Sequence, residues 1–465
     1  MRPRMKYDDV AWERSEYITD KWVDGIFAEE STLRAIGQFI VKYRRGIPVE
    51  LCDPRSGYFN IVFRMKFQDG GSAIIRFPKP GATMFPEEKV RNEVAVMRYI
   101  QNHTSIPVLF ILHWGTKEES PLGLGPFIIV EYIHHDMNLT KALNMPELRV
   151  EDRPRLDPNI ETSKLEMLYG QFADILLQLN KVSLPQIGSL EQIDDFNYKV
   201  TRRPLSIHMN ELVRLGTMPR SELADSTFQL SSSYLESLAE MHIDHLKHQR
   251  NDAVDSAIDC QRKYVARKLF HKLVRDHRLN TSTSDYDAGP FKLWCDDLRP
   301  SNVLLNKYLQ IVGVIGWEFT YAAPTEFSSA PPWWLLLEQP EYWPDGIEAW
   351  IDVYDQRLQT FLKVPIERED ALIYAGRMEE KQRLSGPMQE SWQNGDFGAR
   401  KNFAFDAIYW QKIDSRFFGP VENPESAWEE RIELLDEDEK QTMEALVQQK
   451  MQEMEERVLA WDLNE

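Results

Sequence analysis

Residues 293–305 read Leu-Trp-Cys-Asp-Asp-Leu-Arg-Pro-Ser-Asn-Val-Leu-Leu, a polar loop caught between two apolar runs, Phe291 to Cys295 and Val303 to Leu305. A third run, Ile311 to Ile315, returns after the turn-like Asn306-Lys307-Tyr308, so short strands hold the loop in place. Two groups in that loop can do chemistry together. The Asp297 carboxylate can accept a proton from a hydroxyl, and the Asn302 amide offers a neutral oxygen to a hard cation such as Mg²⁺. Pro300 restrains the backbone between them.

The rest of the chain must supply a body large enough to hold such a loop rigid. With 465 residues, 42% hydrophobic and 11% aromatic, it suits two lobes or two to three domains and shows no disorder-like composition. The net charge of −19 argues against general nucleic-acid binding, which needs a basic surface. Much of that charge is local: residues 421–465 contribute −11 and leave the body about −8. Cys52, Cys260 and Cys295 are far apart and odd in number, which excludes a disulfide ladder or a Cys-x-x-Cys metal pair and fits a reducing compartment. No apolar h-region follows Met1-Arg-Pro-Arg-Met-Lys and no run of eighteen apolar residues occurs, so a cytoplasmic protein that does not enter the membrane is expected.

In chain order, an apolar stripe through Trp12, Ile18, Trp22, Ile26, Leu33, Ile36, Phe39 and Ile40 predicts helices up to about residue 46. Tyr58 to Phe67 and Ser72 to Phe77 read as strands joined by the turn Gln68-Asp-Gly-Gly71. Glu87 to Ile100 is an amphipathic helix with Val90, Val94, Met97 and Ile100 on one face and Glu93 at its border. Pro126 to Ile133 supplies another strand. Glu161 to Leu179, Thr227 to about His277, Ala349 to Leu362, Asp370 to Leu384 and Glu429 to Leu463 read as helical. Within the second of these, His242, His245 and His248 recur every three residues; helical metal ligands favour i and i+4, so a surface or core-edge place is expected. The aromatic cluster Trp333, Trp334, Tyr342 and Trp343 reads as core, with a substrate wall as the other reading. The last, acidic helix is expected to dock on the body, and its charged face is the natural place for a protein partner.

The string Cys295-Asp-Asp-Leu-Arg-Pro-Ser-Asn-Val-Leu304 resembles the catalytic loop of the aminoglycoside phosphotransferase and choline kinase group, which has a protein-kinase-like fold. Trp317-Glu-Phe-Thr-Tyr-Ala-Ala-Pro324 and Pro331-Pro-Trp-Trp-Leu-Leu336 are similar to members found in filamentous fungi. The resemblance covers about residues 50 to 340 and implies a bilobal α+β fold with a small β-rich N-lobe, a larger mainly helical C-lobe and extra terminal helices. The implied divisions are a helical extension over 1–48, a nucleotide-binding lobe over 49–133, a catalytic lobe over 134–420 and an acidic helix over 421–465.

By that resemblance the chain transfers the γ-phosphoryl group of ATP to a hydroxyl of a small molecule. Asp297 is the base or orienter, Arg299 neutralises developing charge or binds the acceptor, and Asn302 holds Mg²⁺. Ser56, Gly57 and Asn60 form the phosphate-covering loop, whose backbone N–H groups can face phosphate oxygens. Arg76 stands where the family places a basic residue on the phosphates, with Glu93 as its partner. Glu131-Tyr132-Ile133 resembles the hinge where adenine is read, Glu131 and Ile133 being the backbone contacts.

One departure stands out. The family has a metal-binding Asp immediately before Trp-Glu, and this chain has Gly316. Loss of one preorganised group in an active site costs roughly 10²–10³ in rate. Glu318, two residues on and on the same side of a strand, is the substitute ligand to consider. The expectation is an impaired phosphotransferase; the alternative is an inactive pseudokinase that binds nucleotide or protein partners. Restoring the carboxylate by Gly316→Asp is expected to separate the two.

Overall fold

The computed structural model describes residues 9–149, 151–250, 253–278, 286–393, 409–421, 423 and 426–457, apart from the side chains of residues 341, 347, 411 and 412. Two helices lead, α1 (Asp9–Phe27) and α2 (Glu30–Arg44). They are followed by β1 (Pro48–Leu51), β2 (Arg55–Ser56), β3 (Asn60–Phe67) and β4 (Ser72–Pro78). After α3 (Pro86–His103) come β5 (Ile111–Gly115) and β6 (Phe127–Glu131). The strands make one antiparallel sheet in the order β1-β3-β4-β6-β5, with β2 beside β3.

Period-two alternation decides which side of this sheet is covered. Ile61, Phe63, Met65 and Phe67 of β3, with Ile75 and Phe77 of β4, turn to one face and are buried under Ile26, Ile36 and Ile40 of the leading helices. The opposite face carries Asn60, Val62 and Arg64 of β3 and Ile74 and Arg76 of β4, all half-buried. The leading helical layer therefore sits behind the sheet and leaves the polar face for the cleft. α1 is also pinned from its side: Ser15 Oγ donates to the Gly81 carbonyl at 2.8 Å and Thr19 Oγ1 to that of Pro80 at 2.6 Å. Gly81 has φ +83°, and a Cβ there would lie 2.3 Å from the Ser15 carbonyl oxygen, so the loop after β4 can approach α1 only as glycine.

A short crossover after β6 leads to β7 (Met137–Asn138), which pairs with Leu304 and Leu305 of the second lobe. That lobe is mainly helical: α4 (Leu139–Leu143), α5 (Thr162–Lys181), the hairpin β8 (Ser189–Gln192) and β9 (Tyr198–Arg202), α6 (Ile207–Leu215), α7 (Ser231–His248) and α8 (Ala257–Arg275). Then come β10 (Lys292–Cys295), β11 (Val303–Leu305), β12 (Ile311–Val314) and β13 (Thr320–Ala323). After α9 (Thr325–Ser328) follow α10 (Gly346–Tyr374), α11 (Ser385–Gln393) and α12 (Glu437–Glu456). The architecture is α+β and bilobal, a small antiparallel sheet beside a larger helical body with further helices at both ends. Among the described residues no helix is long and apolar enough to cross a membrane.

Several boundaries differ from the sequence reading. The helix expected over Thr227–His277 is two helices, α7 and α8, packed on each other through Leu246, Val265 and Leu269. The two helices expected on either side of residues 363–369 are one: α10 runs through Pro365, carried across the missing N–H by a buried face of Trp350, Tyr354, Leu358, Phe361 and Leu362. The acidic C-terminal helix begins only at Glu437, where Asp436 and Glu439 form a capping box. It docks on α8 through Met443 and Leu446, while Val458 and Trp461 lie outside the described residues.

The histidines are also placed differently. His242 and His245 are buried on α7, and His208 of α6 stacks near His242 with ring centroids 5.4 Å apart. Burial pushes His208 down to about 3 and His245 well below its usual value, the latter helped by the Arg267 charge. Both are neutral in the fold but protonate near pH 6.5 when unfolded, so stability falls as pH drops below 6.5, by about 1.4 kcal/mol per pH unit for each histidine. His208→Leu is therefore expected to flatten the pH dependence of urea unfolding between pH 6 and 5 by about that slope. Equal slopes in the two proteins would contradict a buried, neutral His208.

Candidate active site

The loop with Asp297 is held by pairing on both sides. β10 runs antiparallel to β13, setting Cys295 opposite Thr320, and β11 pairs with β12, setting Val303 opposite Val314. Within the loop, Asn302 Nδ2 donates to the Asp297 carbonyl at 2.7 Å and to Asp297 Oδ2 at 2.9 Å. Arg299 Nε lies 2.9 Å from Asp297 Oδ1. Burial raises the Asp297 pKa, Arg299 opposes the rise and the Glu318 charge adds to it. A carboxylate so placed is a better proton acceptor than an exposed aspartate.

Its neighbour has another task. Asp296 is turned into the large lobe, where Oδ2 accepts from the Ile207 N–H at 2.9 Å and Oδ1 from Trp294 Nε1 at 2.8 Å and Tyr321 OH at 3.3 Å. Burial pushes it up to about 6. It caps the first turn of α6 and so fixes that helix to the loop.

Across the cleft, Arg76 of β4 and Glu93 of α3 meet at 2.6 Å, with Glu93 2% exposed. Glu93 had been expected at the border of the apolar face of its helix, and it lies fully inside. Burial pushes it up to about 7 against the pull of Arg76. Arg76 also feels Glu318, which links this pair to a second one.

That second pair is Lys89 with Glu318, at 3.3 Å and both almost wholly buried. Asn60, at the end of the Ser56–Asn60 loop, bridges them: Lys89 Nζ donates to Asn60 Oδ1 at 2.7 Å and Asn60 Nδ2 donates to Glu318 Oε1 at 3.0 Å. Against the upward push of burial, the Lys89 and Arg76 charges hold Glu318 down to about 2. Asn92, one turn along α3, donates to the carbonyls of Glu318 at 2.9 Å and Thr320 at 3.0 Å. Arg76, Glu93, Lys89, Asn60, Glu318 and Asp297 thus form one continuous electrostatic cluster from the sheet to the loop.

The turn at Ser56–Asn60 closes one side of it. Gly57 N–H donates to the Asn60 carbonyl at 2.8 Å, making a tight turn, and Lys79 Nζ reaches Ser56 Oγ at 3.3 Å. Tyr58 at the tip is tied to Glu211 and Arg214 of α6. At the crossover between lobes, the Glu131 N–H donates to the Phe110 carbonyl at 3.0 Å. Ile133 lies against Gly313 of β12, where an added Cβ would come within 3.0 Å of its Cδ1.

Sequence reasoning missed Lys89, Asn92, Arg214 and Glu211. A signal existed for the first: Lys89 stands four residues before Glu93, so the two share a helix face. For Arg214 the only local signal was Glu211 three residues before it; its other partners, Ser15, Tyr58 and Gly81, are each more than a hundred residues away.

The residues present do not fit a divalent cation of the kind the resemblance implies. Gly316 has φ +81° and no donor atom, and a Cβ there would lie 2.4 Å from Asn302 Nδ2. Asn302 thus turns its NH₂, not its carbonyl oxygen, toward the missing carboxylate, fixed in that sense by its two bonds to Asp297. Glu318, expected as a substitute ligand, has Oε1 taken by Lys89 and Asn60, which leaves only the buried, unpartnered Oε2. Among the described residues no group of three or more His, Cys, Asp or Glu could hold a metal. Gly316→Asp is therefore no simple restoration: Asp tolerates positive φ better than most residues, but its Cβ must displace Asn302 from Asp297.

No family model matches the chain. No curated protein matches it either. Among solved structures it is similar to a thermostable mutant of aminoglycoside phosphotransferase APH(4)-Ia in a ternary complex with ADP and hygromycin B, at 13% identity and TM-score 0.40, over 89% of this chain and 98% of that one. It is similar also to macrolide 2'-phosphotransferase type I, at 12% identity and TM-score 0.41, over 88% of this chain and 98% of that one. Plasmodium vivax ethanolamine kinase matches at 12% identity and TM-score 0.41, over 88% and 94% of the two chains. Likeness at this level does not bear on family or function, and the functional reading stands on the residues of the cleft.

Proposed function

We propose that the chain is a phosphotransferase of the aminoglycoside phosphotransferase and choline kinase kind, which takes ATP into the cleft and passes its γ-phosphoryl group to a small-molecule hydroxyl at a reduced rate. The observation that carries this reading is the pairing of two constellations across one cleft, Asp297 held by Asn302 at 2.9 Å and Arg76 held by Glu93 at 2.6 Å. A basic group fixed on a strand is suited to phosphate oxygens, and a carboxylate opposite it to the attacking hydroxyl. In the reaction the acceptor oxygen bonds to the γ-phosphorus and the bond to the β–γ bridging oxygen breaks. The hydroxyl proton passes to Asp297 and ADP leaves. Arg299, bonded to Asp297 and half-exposed, orients it and meets the charge of the acceptor complex.

A second reading, a nucleotide-binding scaffold without turnover, is favoured by Gly316 and by the capture of Glu318. A panel of amino alcohols, sugar alcohols and aminoglycosides, followed by ADP formation, tests the first. ADP release that rises with one acceptor class supports the transferase; ADP release equal with and without every acceptor, in a protein that binds ATP, supports the scaffold. The exposed acidic side of α12 is then the surface on which to seek a protein partner.

A further inference from the structure

The Lys89–Glu318 pair answers a question that Gly316 raises: how a cleft without its metal carboxylate would meet a triphosphate. In a cation-dependent site, two or more carboxyl oxygens face the phosphates and repel them until a divalent ion bridges the two. Here position 316 offers nothing. Glu318, the carboxylate nearest that position, is countered at Oε1, where Lys89 lies 3.3 Å and Asn60 Nδ2 3.0 Å away, while its buried Oε2 has no hydrogen-bond partner. Lys89 is itself 1% exposed, so its charge is built into the wall rather than offered to solvent. Arg76 adds a second fixed positive charge beside Glu318. Arg76 is in turn paired with Glu93 at 2.6 Å, and burial lowers the Lys89 pKa against the pull of Glu318.

We propose that this cleft takes a nucleoside triphosphate without a divalent cation, because the buried Lys89 ammonium supplies to Glu318 the positive charge that a bridging metal would otherwise bring. Lys89 is then a positioning residue: it holds Glu318 and Asn60 together and touches no substrate. The inference rests on the nucleotide-binding reading above and adds to it the source of the countercharge.

Three proteins test it by calorimetric titration of ATP, each in excess EDTA and in excess Mg²⁺. The wild-type chain is expected to bind ATP with affinities that agree within about threefold in the two media. In Lys89→Met, Glu318 keeps Asn60 and the more distant Arg76 charge but loses its nearest cation, and binding in EDTA is expected to fall by about tenfold or more while Mg²⁺ restores part of it. Should that variant fail to fold, Lys89→Met/Glu318→Gln removes both charges together and is expected to bind ATP equally with and without Mg²⁺. Wild-type binding at least about tenfold tighter in Mg²⁺ than in EDTA overturns the inference and leaves the nucleotide reading standing. No ATP binding in either medium overturns the nucleotide reading, and the inference with it. A double variant that needs Mg²⁺ would also overturn it.

Discussion

Asp297→Ala is expected to lower acceptor phosphorylation by about 10²–10³-fold while leaving ATP affinity within about threefold of wild type. The split follows from what Asp297 touches. Its partners are Asn302 and Arg299 in its own loop, whereas Arg76, the group placed for phosphate, is held by Glu93 from the other side of the cleft. Removing the carboxylate takes away the proton acceptor but leaves Asn302 bonded to the Asp297 carbonyl at 2.7 Å. The cost to stability is expected to be about 1 kcal/mol, because loss of the Asn302 bond and the half-exposed Arg299 pair is partly offset by relief of a charge that burial disfavours. Steady-state kinetics on whichever acceptor class proves active gives the answer: a kcat loss with little change in KM for ATP is predicted. An unchanged kcat contradicts the role of Asp297, and a loss confined to KM moves that residue from chemistry to binding.

Arg214→Ala is expected to be the most destabilising single change near the cleft, at about 3–5 kcal/mol. Arg214 is 4% exposed on α6 and joins three parts of the molecule. Its Nε donates to Ser15 Oγ at 2.8 Å and to the Gly81 carbonyl at 2.9 Å, and its Nη1 reaches Tyr58 OH and Glu211. Its guanidinium also stands over the rings of Trp12 and Tyr58. Without it Glu211, whose pKa burial already raises, is left with no cation. The hydroxyl of Ser15 loses its donor as well, while the Gly81 carbonyl keeps only that of Ser15. Arg214→Lys is expected to recover little, since an ammonium cannot reproduce the planar fork. Arg214→Ala/Glu211→Gln should lose less than the single variant, because it removes the buried charge together with its partner. Urea midpoints for the three variants decide the matter, and a single-variant loss under about 1 kcal/mol contradicts the clamp.

The contrast between Asp297 and Arg214 shows what could be read in the sequence and what could not. Asp297 and Asn302 stand five residues apart between two apolar runs, so local pattern alone places them on one loop between strands. The covered and open faces of β3 follow from alternation, and the helices that cover it from a periodic stripe. Arg76 and Glu93 are seventeen residues apart on a strand and the next helix, close enough for the pair to be suspected. The clamp through Arg214 is different. Beyond Glu211 on its own helix, its contacts come from α1, from the loop after β4 and from the tip of the 56–60 turn, and no spacing in the chain encodes their meeting. The same holds for α6 as a whole: Ile207-His-Met-Asn-Glu-Leu-Val-Arg-Leu215 has polar residues throughout, yet His208 to Leu215 are all buried because both lobes close on the helix. Asn210 shows how, with Oδ1 accepting from the Met84 N–H at 2.8 Å and Nδ2 donating to the Ala82 carbonyl at 3.0 Å. Asn210 is satisfied by distant partners that hydropathy cannot show, whereas both ring nitrogens of His208 are buried without a hydrogen-bond partner.

Lys89 lies between these extremes. Its i, i+4 relation to Glu93 was visible, but a lysine on an amphipathic helix is ordinarily at the surface. Only the fold brings Glu318 and Asn60 to it. Pro365 makes the opposite point, since local chemistry argues for a break there and the packing of α10 against α5 overrides it.

The account as a whole rests on the cleft between the sheet and the Asp297 loop being the nucleotide site. Hydrogen–deuterium exchange with and without ATP tests that most directly, because it reports where the ligand acts without requiring turnover. Slowed exchange confined to residues 57–62, 76–77, 131–136 and 297–302 is the predicted result. Protection elsewhere in the chain, or none at saturating ATP, would contradict it.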